Sequence, residues 1–98
     1  VPSPAARARE RKRIRGMVNK KRCFTPIPKL IEEVNQQLSG WSHYFDKGRS
    51  RPAFRRMNWF VQRRMVRHLK RRSQRPYRPP EGVSWYAHLY KQLGVVQL

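Results

Sequence analysis

Acidic side chains are scarce in this sequence: five Asp and Glu stand among 98 residues, against 24 Lys and Arg. Asp46 is the only aspartate, so no aspartate pair exists to hold the metal ions of nucleotide transfer. Cys23 is the only cysteine, which excludes an intrachain disulfide and leaves no Cys and His group at zinc-ligand spacing. No apolar run approaches the ~18 residues of a membrane span, and no signal-peptide hydrophobic region follows the start. The chain reads as soluble, with no metal, cofactor or catalytic group expected. It opens at Val1 on a Pro and Ala stretch without methionine, which suggests a processed product or a domain cut from a larger protein.

What is abundant is positive charge. The formal net charge is +19, a field that opposes compaction and attracts polyanions, so nucleic acid is the first partner to consider. The charge is unevenly spread. Residues 1–22 carry nine basic and one acidic side chain, residues 23–48 two and three, residues 49–79 twelve and none, and residues 80–98 one and one. A nearly neutral middle therefore separates two basic segments. At 38% hydrophobic content, 98 residues can bury one modest core, so residues 1–98 are read as a single domain.

The pattern predicts an all-α fold: a small three-helix bundle with an extended Pro/Arg segment and a short C-terminal helix. Ser3-Pro4 is a cap followed by a first-turn proline, opening a helix over Ala5 to Arg22 whose thin stripe, Ile14, Met17 and Val18, leaves the first turns prone to fray. Thr25 before Pro26 opens the second helix, which is expected to run to Gly48. Along it Ile27, Leu30, Ile31, Val34, Leu38, Trp41 and Phe45 fall within about 60° of one line at 100° per residue. Trp41 and Phe45 thus continue a core stripe and are read as packing residues, with Tyr44 at its edge and His43 solvated. Ser50 before Arg51-Pro52 starts the third helix by the same cap logic. Its core stripe is Phe54, Met57, Val61, Met65 and Leu69, with Asn58 beside it.

On the opposite face of that third helix Arg56, Arg63, Arg67 and Lys70 fall within a sector of about 80° and no acid interrupts them. Solvated faces usually mix both signs, which favours a phosphate-binding ridge over a merely solubilising one. Trp59 and Phe60 flank the ridge, placed either to stack on unpaired bases or to pack against other parts of a protein. Arg71 to Pro80 cannot be regular helix after Pro76 and is expected to run extended. A last helix is expected near Ser84, with Trp85, Tyr86, Leu89, Tyr90 and Leu93 forming a lid until Gly94 stops it.

The run LIEEVNQQLSGWSHYF, Leu30 to Phe45, with Phe54 and the basic helix after it, resembles the maturase-specific domain of group II intron reverse transcriptases, often called domain X. RRSQRPYRPPEG, Arg71 to Gly82, resembles the C-terminal part of such proteins, and the likeness extends from about Arg11 to Leu93. The Asn35 to Phe45 block is its most specific element. The resemblance implies a helical polymerase thumb that grips group II intron RNA and the primer-template RNA/DNA duplex, assisting splicing and, joined to an upstream reverse transcriptase domain, retrohoming. It also implies a bacterial cytoplasm, with an organelle as the alternative. The family's Tyr-x-Asp-Asp motif is absent, so this chain would be a binding part and not itself an enzyme.

The residues assigned to RNA are Arg56, Arg63, Arg67 and Lys70 of the ridge, Arg71, Arg72, Arg75 and Arg78 of the Pro/Arg strip, Trp59, and Arg11 and Arg15 of the first helix. Two other readings compete: a stand-alone basic helical DNA-binding module, and a protein-interaction or anionic-membrane module using Trp59, Trp85 and the basic face.

Overall fold

The computed structural model describes residues 1–71 and 78–98. Helix α1 spans Pro4–Met17, α2 Ile27–Ser42, α3 Arg51–Arg71 and α4 Trp85–Ala87, and no strand occurs among the described residues. A 3₁₀ turn at Lys20–Arg22 joins α1 to α2, and α4 runs directly into a π-helical turn at His88–Gln92. The protein is a small all-α bundle in which α1 packs on both α2 and α3. Of the expected extended Pro/Arg segment, Arg72 and Arg75 lie outside the described residues, while Arg78 to Pro80 are non-helical.

Two helix ends and one cap differ from the sequence expectation, each for a local reason. The first helix stops at Met17, not Arg22, because Asn19 intervenes. Its Nδ2 donates to the carbonyls of Arg15 (3.1 Å) and Gly16 (2.8 Å), while its Oδ1 accepts from the Lys21 amide (2.8 Å) and starts the 3₁₀ turn. Helix α2 ends at Ser42, not Gly48. There the backbone bonds tighten to i→i+3, Tyr44 N to Trp41 O (3.4 Å) and Phe45 N to Ser42 O (3.2 Å). That turn swings Tyr44 out to 86% exposure, away from the stripe edge expected for it. Ser50 precedes α3 as expected, but its buried hydroxyl makes no hydrogen bond among the described residues, so it is no side-chain cap. The turn into α3 is shaped instead by Asp46, whose Oδ1 accepts from the Arg49 amide (3.1 Å) and whose carbonyl accepts from Ser50 N (2.9 Å). The caps at Ser3 and Ser84 do form, each accepting an amide three residues on at 3.1 Å.

The core is one cluster to which α2 and α3 contribute most. Leu30, Ile31, Val34, Leu38 and Trp41 from α2 meet Phe54, Met57, Val61, Met65 and Leu69 from α3, all buried, and Ile14, Val18, Leu89 and Val95 close it. Phe45 lies beyond the end of α2, half-buried, with its ring edge-on to Trp41 at 5.1 Å; Trp41 meets Phe54 at 6.0 Å in the same geometry. These three rings join the end of α2 to the start of α3.

Polar contacts fix the rest. The side chain of Asn35 on α2 donates to Gly94 O (2.8 Å) and accepts from Val96 N (2.7 Å). Asn58 on α3 does the same to a single residue, accepting from Leu98 N (2.9 Å) and donating to Leu98 O (3.2 Å). A carboxamide thus plays the part of a neighbouring peptide group at both places. The segment Gly94 to Leu98 becomes a strap across two helices. Gly94, at φ +81°, turns the chain into it after Leu93 N closes a bond to His88 O at 2.8 Å.

Glu10 is the unusual core residue. Fully buried on α1, it accepts from Gln37 Nε2 at 2.8 Å through one oxygen, and burial pushes its carboxyl above the ordinary 4.5, with the Gln37 bond and the Arg13 charge opposing. A group whose folded-state pKa is raised contributes its full stability below the ordinary value and loses it as pH climbs through the raised one. Glu10→Gln, which keeps an acceptor for Gln37 and carries no charge, is therefore expected to melt higher than the parent at neutral pH. The two melting temperatures should converge as the pH falls below 4.5; a gap independent of pH would disprove the burial cost. Asn35→Ala removes both bonds to the strap and is expected to cost about 1–3 kcal/mol. Denaturant midpoints measure that cost, and faster hydrogen exchange at the Val96 amide locates it.

Candidate nucleic-acid interface

Helix α3 carries eight Lys and Arg and no acid in its 21 residues. Because the i, i+3, i+4 spacing that buries Met57, Val61, Met65 and Leu69 turns the rest outward, Arg56, Arg63, Arg67 and Lys70 are all exposed. Arg71 is exposed at the end of the same helix.

Aromatic rings organise these charges. The Arg63 guanidinium lies over the Trp59 ring with 4.6 Å between its central carbon and the ring centroid. Arg15, from α1, lies over Phe60 at 5.4 Å, and the Lys70 ammonium over Trp85, from α4, at 5.7 Å. Such pairs hold a cation at a fixed place on the surface without neutralising it. Trp59 is 60% exposed, whereas Phe60 and Trp85 are half-buried.

The three pairs line one groove of about 750 Å³, to which Gln62, Arg64, Val66 and Arg67 also contribute. A second hollow of about 550 Å³ opens on the other side of Arg64 and Arg67. Its remaining lining is Lys20 and Cys23 around the 3₁₀ turn, with Val18, Asn19, His68 and Arg71. A third, also about 550 Å³, places Arg78 near Lys70 and Trp85, with Glu81 in its wall.

Arg15, Trp59, Arg63, Arg67 and Lys70 therefore share one groove, and Arg78 adjoins it. Arg71 belongs to the second hollow. Arg56, one turn before Trp59, lines neither, and neither does the half-buried Arg11. Arg72 and Arg75 lie outside the described residues.

Arg64, which the sequence pattern did not single out, is central here. Its Nε donates to Val18 O at 3.2 Å, bonding a carbonyl at the C-terminal end of α1 and holding the side chain against the bundle. Burial, then the charges of Arg15, Arg67 and Arg71, push its guanidinium below the ordinary range, a sign of cations crowded without a counter-charge. The spacing Arg64, Arg67, Arg71 puts the three on one row of the helix, which is the signal that could have found it.

The one ion pair among the described residues, Arg22 with Glu33, lies apart, tying the 3₁₀ turn to α2. No group of three or more His, Cys, Asp or Glu side chains is placed to hold a metal among the described residues. No helix among them is long and apolar enough to cross a membrane.

Among known protein families, the group II intron maturase-specific domain matches residues 7–88, a stretch that takes in most of α1 and all of α2 and α3. Searches of curated proteins and of solved structures returned no match.

Proposed function

The chain belongs to the group II intron maturase-specific domain family, and from that premise we propose that it grips group II intron RNA and RNA/DNA duplex through the cationic face of α3. In this reading it assists splicing and reverse transcription, and nucleotide transfer is the work of a reverse transcriptase domain upstream. The observation that carries the reading is the exposure of Arg56, Arg63, Arg67 and Lys70 on a helix with no acidic residue.

The chemistry follows from the charges. Each cation that neutralises a phosphate releases a condensed counterion, so binding draws on solvent entropy and weakens steeply with salt. Arginine's planar fork suits bidentate phosphate contacts, and α3 carries arginine far more often than lysine. Seating the arginines on rings reduces the side-chain freedom to be lost on binding. Sequence cannot be read through phosphates alone, so choice of RNA rests on the shape of the ridge and on unpaired bases.

The substitution Arg56→Gln, Arg63→Gln, Arg67→Gln tests this directly. Helical circular dichroism should be unchanged, since all three side chains are exposed. Affinity for structured intron RNA should fall, and the salt dependence of the logarithm of affinity should flatten by about 0.7–0.9 for each phosphate no longer neutralised. Parent and variant with equal affinity and equal slope would eliminate the ridge as the binding surface. Competition with duplex DNA separates this reading from a DNA-binding module, which would prefer the DNA.

A further inference from the structure

We propose that the two concavities sharing Arg64 and Arg67 are the base half and the phosphate half of one site for an unpaired nucleotide of the bound RNA. The inference rests on the RNA-binding reading above and adds to it which form of RNA the site takes.

The two hollows differ in chemistry. The groove beside Trp59 and Trp85 is lined by aromatic rings and by the Arg63 guanidinium over the exposed Trp59, planar groups on which the flat face of a base can stack. Its volume of about 750 Å³ leaves room for a nucleobase. The hollow beside Lys20 and Arg71 has no aromatic side chain larger than imidazole and no carboxylate in its lining, and four of its eight lining residues are Lys or Arg. That is a lining for phosphate.

Arg64 and Arg67 form the wall between them. The Nε of Arg64 is spent on Val18 O, so the terminal nitrogens of its guanidinium remain as donors on a side chain already held in place. The mutual repulsion of Arg64 with Arg15, Arg67 and Arg71 is what a bound anion would relieve. A base-paired helix presents a row of phosphates but keeps the faces of its bases in the stack. Only an unpaired nucleotide can offer a free ring to one hollow and its own phosphate to the next. The exposed ring of Trp59, which already seats Arg63, then has a second use.

The whole chain carries its own reporters, the sole cysteine in the wall of the phosphate hollow and two tryptophans in the base groove. Three ligands suffice: a short single-stranded RNA, the same strand with its bases removed at several positions, and a blunt RNA duplex of the same sequence. The intact strand should quench tryptophan fluorescence and slow alkylation of Cys23, and should bind about tenfold more tightly than the abasic strand. The duplex should bind without quenching. Trp59→Leu, at an exposed position that folding does not need, should erase the preference for the intact strand while keeping Cys23 protection; Arg71→Gln should weaken the protection and keep the quenching.

Equal affinity for intact and abasic strands, or a duplex that quenches and protects as the single strand does, would overturn the nucleotide site and leave the RNA-binding reading standing. Failure of all three ligands to bind would overturn both.

Discussion

Mutual repulsion among the basic side chains is the constraint to which every other feature answers. A chain of 98 residues with a formal net charge of +19 cannot hold itself together by pairing charges, since only five acids are present, and Arg22 with Glu33 is the one ion pair among the described residues. Cohesion has to come from apolar contact and from neutral hydrogen bonds. Helix α2, in the nearly neutral middle of the sequence, supplies the first through Leu30, Ile31, Val34, Leu38 and Trp41. The carboxamides of Asn35 and Asn58 supply the second, each engaging backbone and neither adding charge. Even the buried carboxyl of Glu10 is bonded to an amide, Gln37, and is driven toward its neutral form.

The same constraint explains why rings and cations alternate on α3. With no carboxylates to seat them, Arg63 rests on Trp59, Arg15 on Phe60 and Lys70 on Trp85. A carboxylate would cancel the field that attracts a polyanion; a ring keeps the cation in place and leaves its charge available. Local order and the long-range attraction for nucleic acid are thereby obtained together. The cost is crowding, visible at Arg64, whose protonated form is disfavoured by burial and by three neighbouring arginines.

The buried stripes of α2 and α3 were legible because helical periodicity is a property of spacing alone, and burial follows once two such stripes face each other. The caps at Ser3 and Ser84 were legible for a similar reason, since a hydroxyl three residues from an unsatisfied amide acts locally. Local propensity misled where a side chain took over backbone groups. Asn19 ended α1 early by bonding two of its carbonyls; Gly16, Val18 and Asn19 are weak helix formers, but propensity alone does not stop a helix at any one of them. Ser50 had the right neighbours for a cap, yet its hydroxyl turned inward and Asp46 shaped the turn. Contacts between distant residues were hidden altogether. The strap held by Asn35 and Asn58 joins residues about sixty and forty positions apart, and no pattern of period announces it. In the candidate interface, the exposure of the ridge followed from the stripe it opposes. The meeting of Arg15 with Phe60, of Lys70 with Trp85, and the part played by Arg64 depended on how α1 and α4 pack, which spacing within α3 cannot reveal.

The strap has a consequence for which substitutions it tolerates. Its latches are peptide groups, the C=O of Gly94, the N–H of Val96 and both the N–H and C=O of Leu98, and the asparagines bond to no side chain in it. Conservative swaps at the exposed Gln97 leave this backbone grammar intact. A proline at position 96 or 98 has no amide hydrogen to offer, and would loosen the last residues from α2 or from α3 respectively while leaving both asparagines in place.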